Sequence, residues 1–329
     1  MSFPALVLSK QDQTVSAELT QLTTKDLPEG DVLVAVSHST LNFKDGLAIT
    51  NRSPVVRTWP MVAGIDGAGV VLESSNSRWQ VGDRVLVNGW GLGETRWGCL
   101  AGQLRVPSEY LVAIPETMTA HDSMAIGTAG YTAMLSVLAL EQQGITPASG
   151  PVLVTGATGG VGSVAVAILA KLGYQVTAVT GKTSEHNYLT QLGAAAILPR
   201  EVFAAAGKPL QKEQWAAVVD CVGSHTLVNA CAQTRYGGVV TSCGLAQGMD
   251  FPTTVMPFIL RAVRLIGVDS VMVPIALRQV AWQRLASDLS ADALSLITAA
   301  TINLGQVPQY AEQLMAGQIR GRVVVEIKS

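Results

Sequence analysis

A glycine-rich turn at residues 156–162 constrains this chain more than any other feature. It lies in Val152-Leu153-Val154-Thr155-Gly156-Ala157-Thr158-Gly159-Gly160-Val161-Gly162-Ser163. An apolar, β-branched run leads into it. Small apolar residues lead out over 163–172 and stop at Gly173. The order reads as strand, turn, helix. Glycines at such a turn let the chain bend sharply and let backbone N–H groups approach a pyrophosphate. The helix start adds unpaired donors and a favourable dipole. The spacing is GxxGGxG, not GxGxxG, and the GxxxxGK[ST] pattern of ATP-type loops is absent. A bland use of the same glycines is to pack a helix against a sheet. The downstream order of strands and helices favours a dinucleotide site.

After the turn, strands and helices alternate. Residues 175–180 read as a second strand, 188–192 as a helix stopped at Gly193, and 195–198 as a third strand. Residues 216–220 and 238–241 add two more, with helical sequence between them. This rhythm predicts βαβ units and a doubly wound parallel sheet. The tip of the second strand separates the two nicotinamide cofactors. A carboxylate there suits the ribose 2′-hydroxyl of NAD, and a cation suits the 2′-phosphate of NADP. Here the tip is Thr180-Gly181-Lys182-Thr183-Ser184, with no carboxylate, and Arg200 follows the third strand. The reading is NADP, with a solvated loop lysine as the plain alternative for Lys182.

Residues 1–115 have a different texture. Residues 32–36 and 67–72 read as strands and 81–87 as a turn feeding a strand, set among glycine and proline turns, which predicts a compact all-β or partly opened barrel module. A helix is expected from about 120 to 140. The tail at 321–327 reads as a strand, preceded by a helix near 308–316 and returning to the first module. A length of 329 residues fits about two domains. Lysine plus arginine is 22 against 24 acidic residues, a net charge of −2 with no global footprint for nucleic acid or an anionic membrane. Residues 142–170 carry no charge, but Pro147, Pro151 and six glycines break any spanning helix, so no membrane span is expected. The four cysteines show no CxxC spacing, which argues against a zinc lobe, and the start lacks the pattern of a secretory signal. A cytoplasmic protein is expected. His38 is the one histidine before residue 121, and Ile65 stands in Gly64-Ile65-Asp66 where a zinc dehydrogenase carries Gly-His-Glu. A metal-free protein is expected, with His38 as an ordinary strand residue.

These features together resemble the medium-chain dehydrogenase/reductase superfamily, in its zinc-free quinone-oxidoreductase branch. The resemblance spans essentially the whole chain. It rests on Leu41-Asn42-Phe43-Lys44-Asp45, on Pro60 through Gly69, on Val81-Gly82-Asp83-Arg84-Val85, on Gly127 through Met134 and on the glycine turn. More narrowly the chain is similar to NADPH-dependent acryloyl-CoA reductases, through 87–94, 252–261 and 267–271. The resemblance implies an α/β fold: a GroES-like catalytic domain over 1–125, a Rossmann domain over 126–270 and a C-terminal return over 271–329. It implies NADPH in the cleft between domains and a homodimer.

Carried over by position, Thr158, Gly159, Gly160, Val161 and Gly162 meet the pyrophosphate. Thr180, Gly181, Lys182 and Arg200 surround the 2′-phosphate. Cys243, Gly244, Leu245 and Ser270 lie toward the nicotinamide. Asn42 and Asp45 frame the substrate and cofactor entrance, Phe43 stacks or packs beside the nicotinamide, and Asn42, Asn88 and Arg322 are candidate donors to a thioester oxygen. Arg52, Arg57 and Arg96 are candidate cations for CoA phosphates. Two departures matter. Phe43 replaces a tyrosine common in relatives, so no hydroxyl proton donor exists there. Lys182 stands where an arginine is usual, which keeps the charge and loses the two-pronged fork. The implied reaction is reduction of acryloyl-CoA, a small-molecule substrate, to propanoyl-CoA. A quinone reductase and a low-turnover NADPH-binding protein are the alternatives.

Overall fold

The computed structural model describes residues 2–12 and 14–328. The chain divides into two compact units. One comprises Met1–Thr128, Ser270–Ala286 and Thr298–Ser329; the other comprises Ala129–Asp269 and Ser287–Ile297.

The first unit is built on a sheet with strands in the order Thr298–Asn303, Arg322–Glu326, Val32–Leu41, Asp66–Ser74, Arg84–Asn88, Val112–Ala113; Gln103–Val106 also pairs with Val32–Leu41. A smaller sheet joins Thr14–Thr23, Ser2–Gln11 and Met61–Val62. Val34, Val36, Val71, Val85, Val87, Leu104, Val323 and Val325 fill its main core. Each such side chain contributes roughly 1.5–3 kcal/mol when fully buried. The last strand runs antiparallel to Val32–Leu41 with Val323 opposite Leu41 and Val325 opposite Ser39. That register delivers Arg322 to the end of the strand that leads into Asn42. A short helix, Phe43–Ile49, follows at once.

The second unit carries a six-stranded parallel sheet. Its order is Ala196–Pro199, Val176–Thr180, Val152–Val154, Trp215–Asp220, Thr234–Ser242, Arg264–Gly267. The chain starts in the middle, winds outward one way, then returns to wind the other way, which is the doubly wound Rossmann order. All residues of Val152–Val154, Val176–Thr180 and Trp215–Asp220 are buried. Strands covered on both faces lose the polar alternation of a half-exposed sheet, which explains why their sequences are mostly apolar. Leu153, Val179, Phe203, Trp215, Val218, Leu227 and Val240 share one core.

Several details differ from expectation. The helix after the glycine turn starts at Gly160, not at 163, because Gly159 already sits in the extended conformation of an N-cap. Residues 287–297, expected in the C-terminal return, group with the parallel-sheet unit, where Ala291–Ile297 packs on Gly160–Lys171. The hairpin Ser2–Gln11/Thr14–Thr23, the edge strand Arg264–Gly267 and the helix Phe43–Ile49 were not legible. The helix Ala120–Gln142 is interrupted at Gly127, with φ 53 and ψ −163. It is the one helix among the described residues long and apolar enough to cross a membrane, and 89% of its most apolar window is buried inside the protein.

Candidate functional site

In the second unit the glycine turn leaves the central strand at Gly156, in the left-handed region at φ +59. Thr155 N–H donates to Val219 O, Ala157 N–H to Val179 O and Gly159 N–H to Gly156 O, so the turn is tied to the strands on either side. Ser163 Oγ donates to Ala157 O over 3.1 Å. A Cβ on Gly162 would lie 2.3 Å from Gly156 O and 2.7 Å from Ala157 Cα. Only glycine lets the helix start close beneath its own turn. The first helical N–H groups have no carbonyl one turn earlier to pair with, and they stand at the positive end of a twelve-residue helix. Thr158 and Gly162 are buried, Gly160 and Val161 half-buried and Gly159 exposed.

The tip of the second strand lies beside this turn. Thr158 Oγ1 and Thr180 Oγ1 are 3.3 Å apart. Lys182 N–H donates to Thr180 Oγ1 and Arg200 N–H to Thr180 O. The Arg200 side chain lies over Gly181: a Cβ there would meet its Nε at 2.4 Å. Burial pulls the Lys182 amine down, opposed by the Glu185 charge. Arg200 Nε lies 3.5 Å from Glu201 Oε1, with both side chains exposed. The structure therefore gathers Thr158, Thr180, Gly181, Lys182 and Arg200 in one place.

Sequence reasoning missed Asp220, at the end of the fourth strand. It is fully buried, and burial pushes its carboxyl up against the opposing pull of its hydrogen bonds. Oδ1 accepts Thr155 Oγ1 at 2.6 Å, and Oδ2 accepts Gly223 N–H at 2.8 Å. This carboxylate clasps the strand ends where the strand order reverses, the usual place for a ligand crevice. An aspartate just before a Val-Gly turn was the available signal. Cys243 N–H donates to Asp220 O, and a Cβ on Gly244 would lie 2.1 Å from Cys221 O. Leu245 is exposed beyond them. Ser270 belongs to the first unit, where its carbonyl accepts Arg278 Nη2.

The first unit holds a buried polar network centred on Asp66. Its Oδ2 accepts Asn42 Nδ2 at 2.8 Å and Thr128 N–H at 2.7 Å. Its Oδ1 accepts Asn88 Nδ2 at 3.1 Å and also the Thr128 hydroxyl. Asn42 caps the helix Phe43–Ile49 and shares its amide with Asp45, whose Oδ2 also accepts Asn42 N–H at 2.8 Å. Asp45 Oδ1 accepts Ile65 N–H. Burial pushes the Asp45 carboxyl up to about 7, aided by the Asp66 charge and opposed by the Asn42 and Ile65 hydrogen bonds. Arg322 is buried nearby and donates to Ala125 O, Leu41 O and Thr40 Oγ1. Burial lowers its guanidinium, opposed by Asp66 and Asp45.

Asn42, Asp45, Asn88 and Arg322 thus converge, whereas Phe43 points outward, 43% exposed. Both Nδ2 protons of Asn42 go to carboxylates. Arg52 pairs with Glu312, and Arg96 lies over the Tyr110 ring. Asp66, the hub, was not singled out by its sequence. Position 65 is isoleucine, and among the described residues no group of three or more His, Cys, Asp or Glu side chains gathers to hold a metal ion.

Comparison with known proteins adds to this geometry. Residues 28–116 match the alcohol dehydrogenase GroES-like domain, and residues 160–287 match the zinc-binding dehydrogenase family. The probable acrylyl-CoA reductase AcuI of Escherichia coli K12 is 51% identical over 323 residues, covering 98% of this chain and 99% of that protein. The chain belongs to the medium-chain dehydrogenase/reductase superfamily.

Another member of the medium-chain dehydrogenase/reductase superfamily, the acrylyl-CoA reductase AcuI of Ruegeria pomeroyi, is 48% identical over 331 residues, 99% of this chain and all of that one. Among solved structures, the yhdH oxidoreductase of Salmonella enterica in complex with NADP superposes with a TM-score of 0.96 at 51% identity, covering 99% of this chain and 100% of that one. The α/β architecture of this superfamily, a GroES-like module with a Rossmann sheet, is the one expected from sequence.

Proposed function

We propose that this protein reduces the carbon–carbon double bond of a short enoyl-CoA with NADPH, converting acryloyl-CoA to propanoyl-CoA. The observation that carries the reading is the full-length likeness to two proteins named acrylyl-CoA reductases. The residues present fit the coenzyme. Gly162 keeps open a turn that a Cβ would close, and Lys182 and Arg200 stand beside Thr180 where a carboxylate would bar a 2′-phosphate.

Thr158, Gly159, Gly160, Val161 and Gly162 hold the pyrophosphate through backbone donors in this reading. Thr180, Gly181, Lys182 and Arg200 hold the 2′-phosphate, and Gly244, Leu245 and Ser270 serve the nicotinamide end. When bound, the reduced coenzyme supplies the hydride that saturates the β-carbon. Negative charge develops on the thioester oxygen, and one well-placed donor is worth roughly 3 kcal/mol there. We assign that role to Asn88, whose amide is oriented by Asp66 and Trp282 and gives only one proton to Asp66. Asn42, Asp45 and Arg322 hold the surrounding network in place, and Phe43 offers an apolar face to the substrate. Water supplies the α-proton.

In the same reading residues 1–125 and 271–329 serve substrate, and 126–270 serve the coenzyme. The protein acts as a cytoplasmic homodimer. Its four free thiols suit a reducing compartment. The edge strand Arg264–Gly267 pairs on one side only and follows in sequence the helix Met256–Arg261, whose Ile259 and Leu260 are exposed, features suited to a second copy. Light scattering of the purified protein tests the dimer. The activity is tested by following NADPH absorbance with acryloyl-CoA, crotonyl-CoA and a quinone. Saturable oxidation with acryloyl-CoA is expected. Preference for the quinone, or binding without oxidation, overturns the assignment.

A further inference from the structure

Two thiols stand side by side at the carboxyl edge of the parallel sheet. The strand Trp215–Asp220 runs into Cys221, and Thr234–Ser242 runs into Cys243. The register sets Asp220 opposite Ser242, so the cysteines face each other one residue further on. Their backbones stay in contact, since Cys243 N–H donates to Asp220 O at 3.0 Å. The sulfurs lie 4.0 Å apart. Adjacent strands are roughly 4.8 Å apart, within the roughly 4.4–6.8 Å that disulfides span between Cα atoms. Closing the bond therefore takes side-chain rotation, not strand movement.

The pair also touches the glycine turn. Cys221 N–H donates to Thr155 Oγ1, and a Cβ on Gly156 would lie 3.4 Å from Cys221 Cβ. Cys99 and Cys231 are buried, whereas Cys221 and Cys243 are half-buried.

We propose that Cys221 and Cys243 form a modifiable dithiol, which hydrogen peroxide closes into an intrachain disulfide that weakens dinucleotide binding at the adjoining turn. One sulfur, as thiolate, attacks a peroxide oxygen; the O–O bond breaks, and the departing oxygen leaves as water after protonation. The resulting sulfenic acid is attacked by the second thiol, the S–O bond breaks, a second water leaves and the S–S bond forms. The two thiols lose two electrons, and hydrogen peroxide gains them. The contact with Cys243 and burial hold the Cys221 thiol well above its ordinary value.

The effect on coenzyme rests on the function proposed above; formation of the bond does not. The full-length protein is treated with hydrogen peroxide, its free thiols are alkylated, and digests are analysed by mass spectrometry. A linked Cys221–Cys243 peptide pair that dithiothreitol separates is expected, with Cys99 and Cys231 unchanged. Oxidation that stops at sulfinic acid on either sulfur, or links another pair, overturns the proposal. NADPH affinity, followed by fluorescence titration, is expected to fall at least tenfold on oxidation and to recover on reduction. In Cys221→Ser it should no longer respond to peroxide. A disulfide with unchanged NADPH affinity overturns the link to the turn. Failure of the reduced protein to bind NADPH at all defeats the functional reading, while the peptide map still decides whether the bond forms.

Discussion

Trp282 Nε1 donates to Asn88 Oδ1 over 3.2 Å, across 194 positions of sequence. The same amide donates from Nδ2 to Asp66 Oδ1, so both ends of Asn88 are fixed and its orientation is determined. Arg278, from the same helix as Trp282, holds the Asn88 carbonyl at 2.9 Å and spreads its remaining donors over Ser270, Val271 and Val273. Trp282→Phe keeps most of the packing and removes the indole donor. The buried amide oxygen then lacks this partner, at a cost of about 1–3 kcal/mol. We expect a lower melting temperature and a kcat reduced about tenfold, with KM for NADPH unchanged. Steady-state kinetics on the variant check this, and a changed coenzyme KM with constant kcat would count against a role through Asn88.

The basic tip of the second strand sets coenzyme choice in this account. Lys182→Glu places a carboxylate where the 2′-phosphate belongs, and Arg200→Ala removes the cation lying over Gly181. Each is expected to lower the ratio of kcat/KM for NADPH over NADH at least tenfold, chiefly through KM for NADPH. Parallel assays with the two coenzymes measure the ratio. A ratio unchanged in Lys182→Glu removes that residue from the phosphate site.

Asp45 gives the first unit a distinctive pH dependence. Its carboxyl ionises at about 7 in the folded protein, and near 3.9 in an unfolded chain. Between these values the folded state holds the extra proton, so stability falls as pH rises through the window and levels off above it. The full effect is on the order of 4 kcal/mol for a shift of this size. Asp45→Asn cannot ionise. Melting curves from pH 4.5 to 8.5 should therefore slope less steeply downward with pH in the variant than in the parent. His38, lowered by burial, acts in the opposite sense in both proteins and cancels in the difference. Parallel curves for the two proteins would exclude titration of Asp45 in this range.

Gly162→Ala tests the glycine turn by itself. The new methyl would meet Gly156 O and Ala157 Cα well inside contact distance, and neither is a flexible side chain. Overpacking of this kind costs about 1–3 kcal/mol. The expected variant folds, melts lower and binds NADPH at least tenfold more weakly by isothermal titration. Undiminished affinity would show that the backbone at this turn does not touch the coenzyme.

The second unit was largely legible because its three central strands, Val152–Val154, Val176–Thr180 and Trp215–Asp220, are short and fully buried, and glycines punctuate the connections. Gly173 and Gly193 ended helices where the sequence said they would. The helix Phe43–Ile49 was hidden by its seven-residue length and by Gly46, which leaves no apolar stripe to read. Its one local sign is Asn42 three residues before Asp45, whose carboxylate caps the Asn42 N–H. The network on Asp66 was out of reach for a different reason. Its members come from positions 42, 45, 88 and 128, and only the folded sheet brings them together. Trp282 and Arg278 carried no motif, and their meaning lies entirely in the backbone and amide groups they meet.

The most direct test of the central claim is a single competition assay. Purified protein is given acryloyl-CoA with NADPH and with NADH, and product is identified by mass. Propanoyl-CoA formed with NADPH, at a kcat/KM at least tenfold above that with NADH, is the expected result. No propanoyl-CoA with either coenzyme, or equal efficiency with both, would contradict the account.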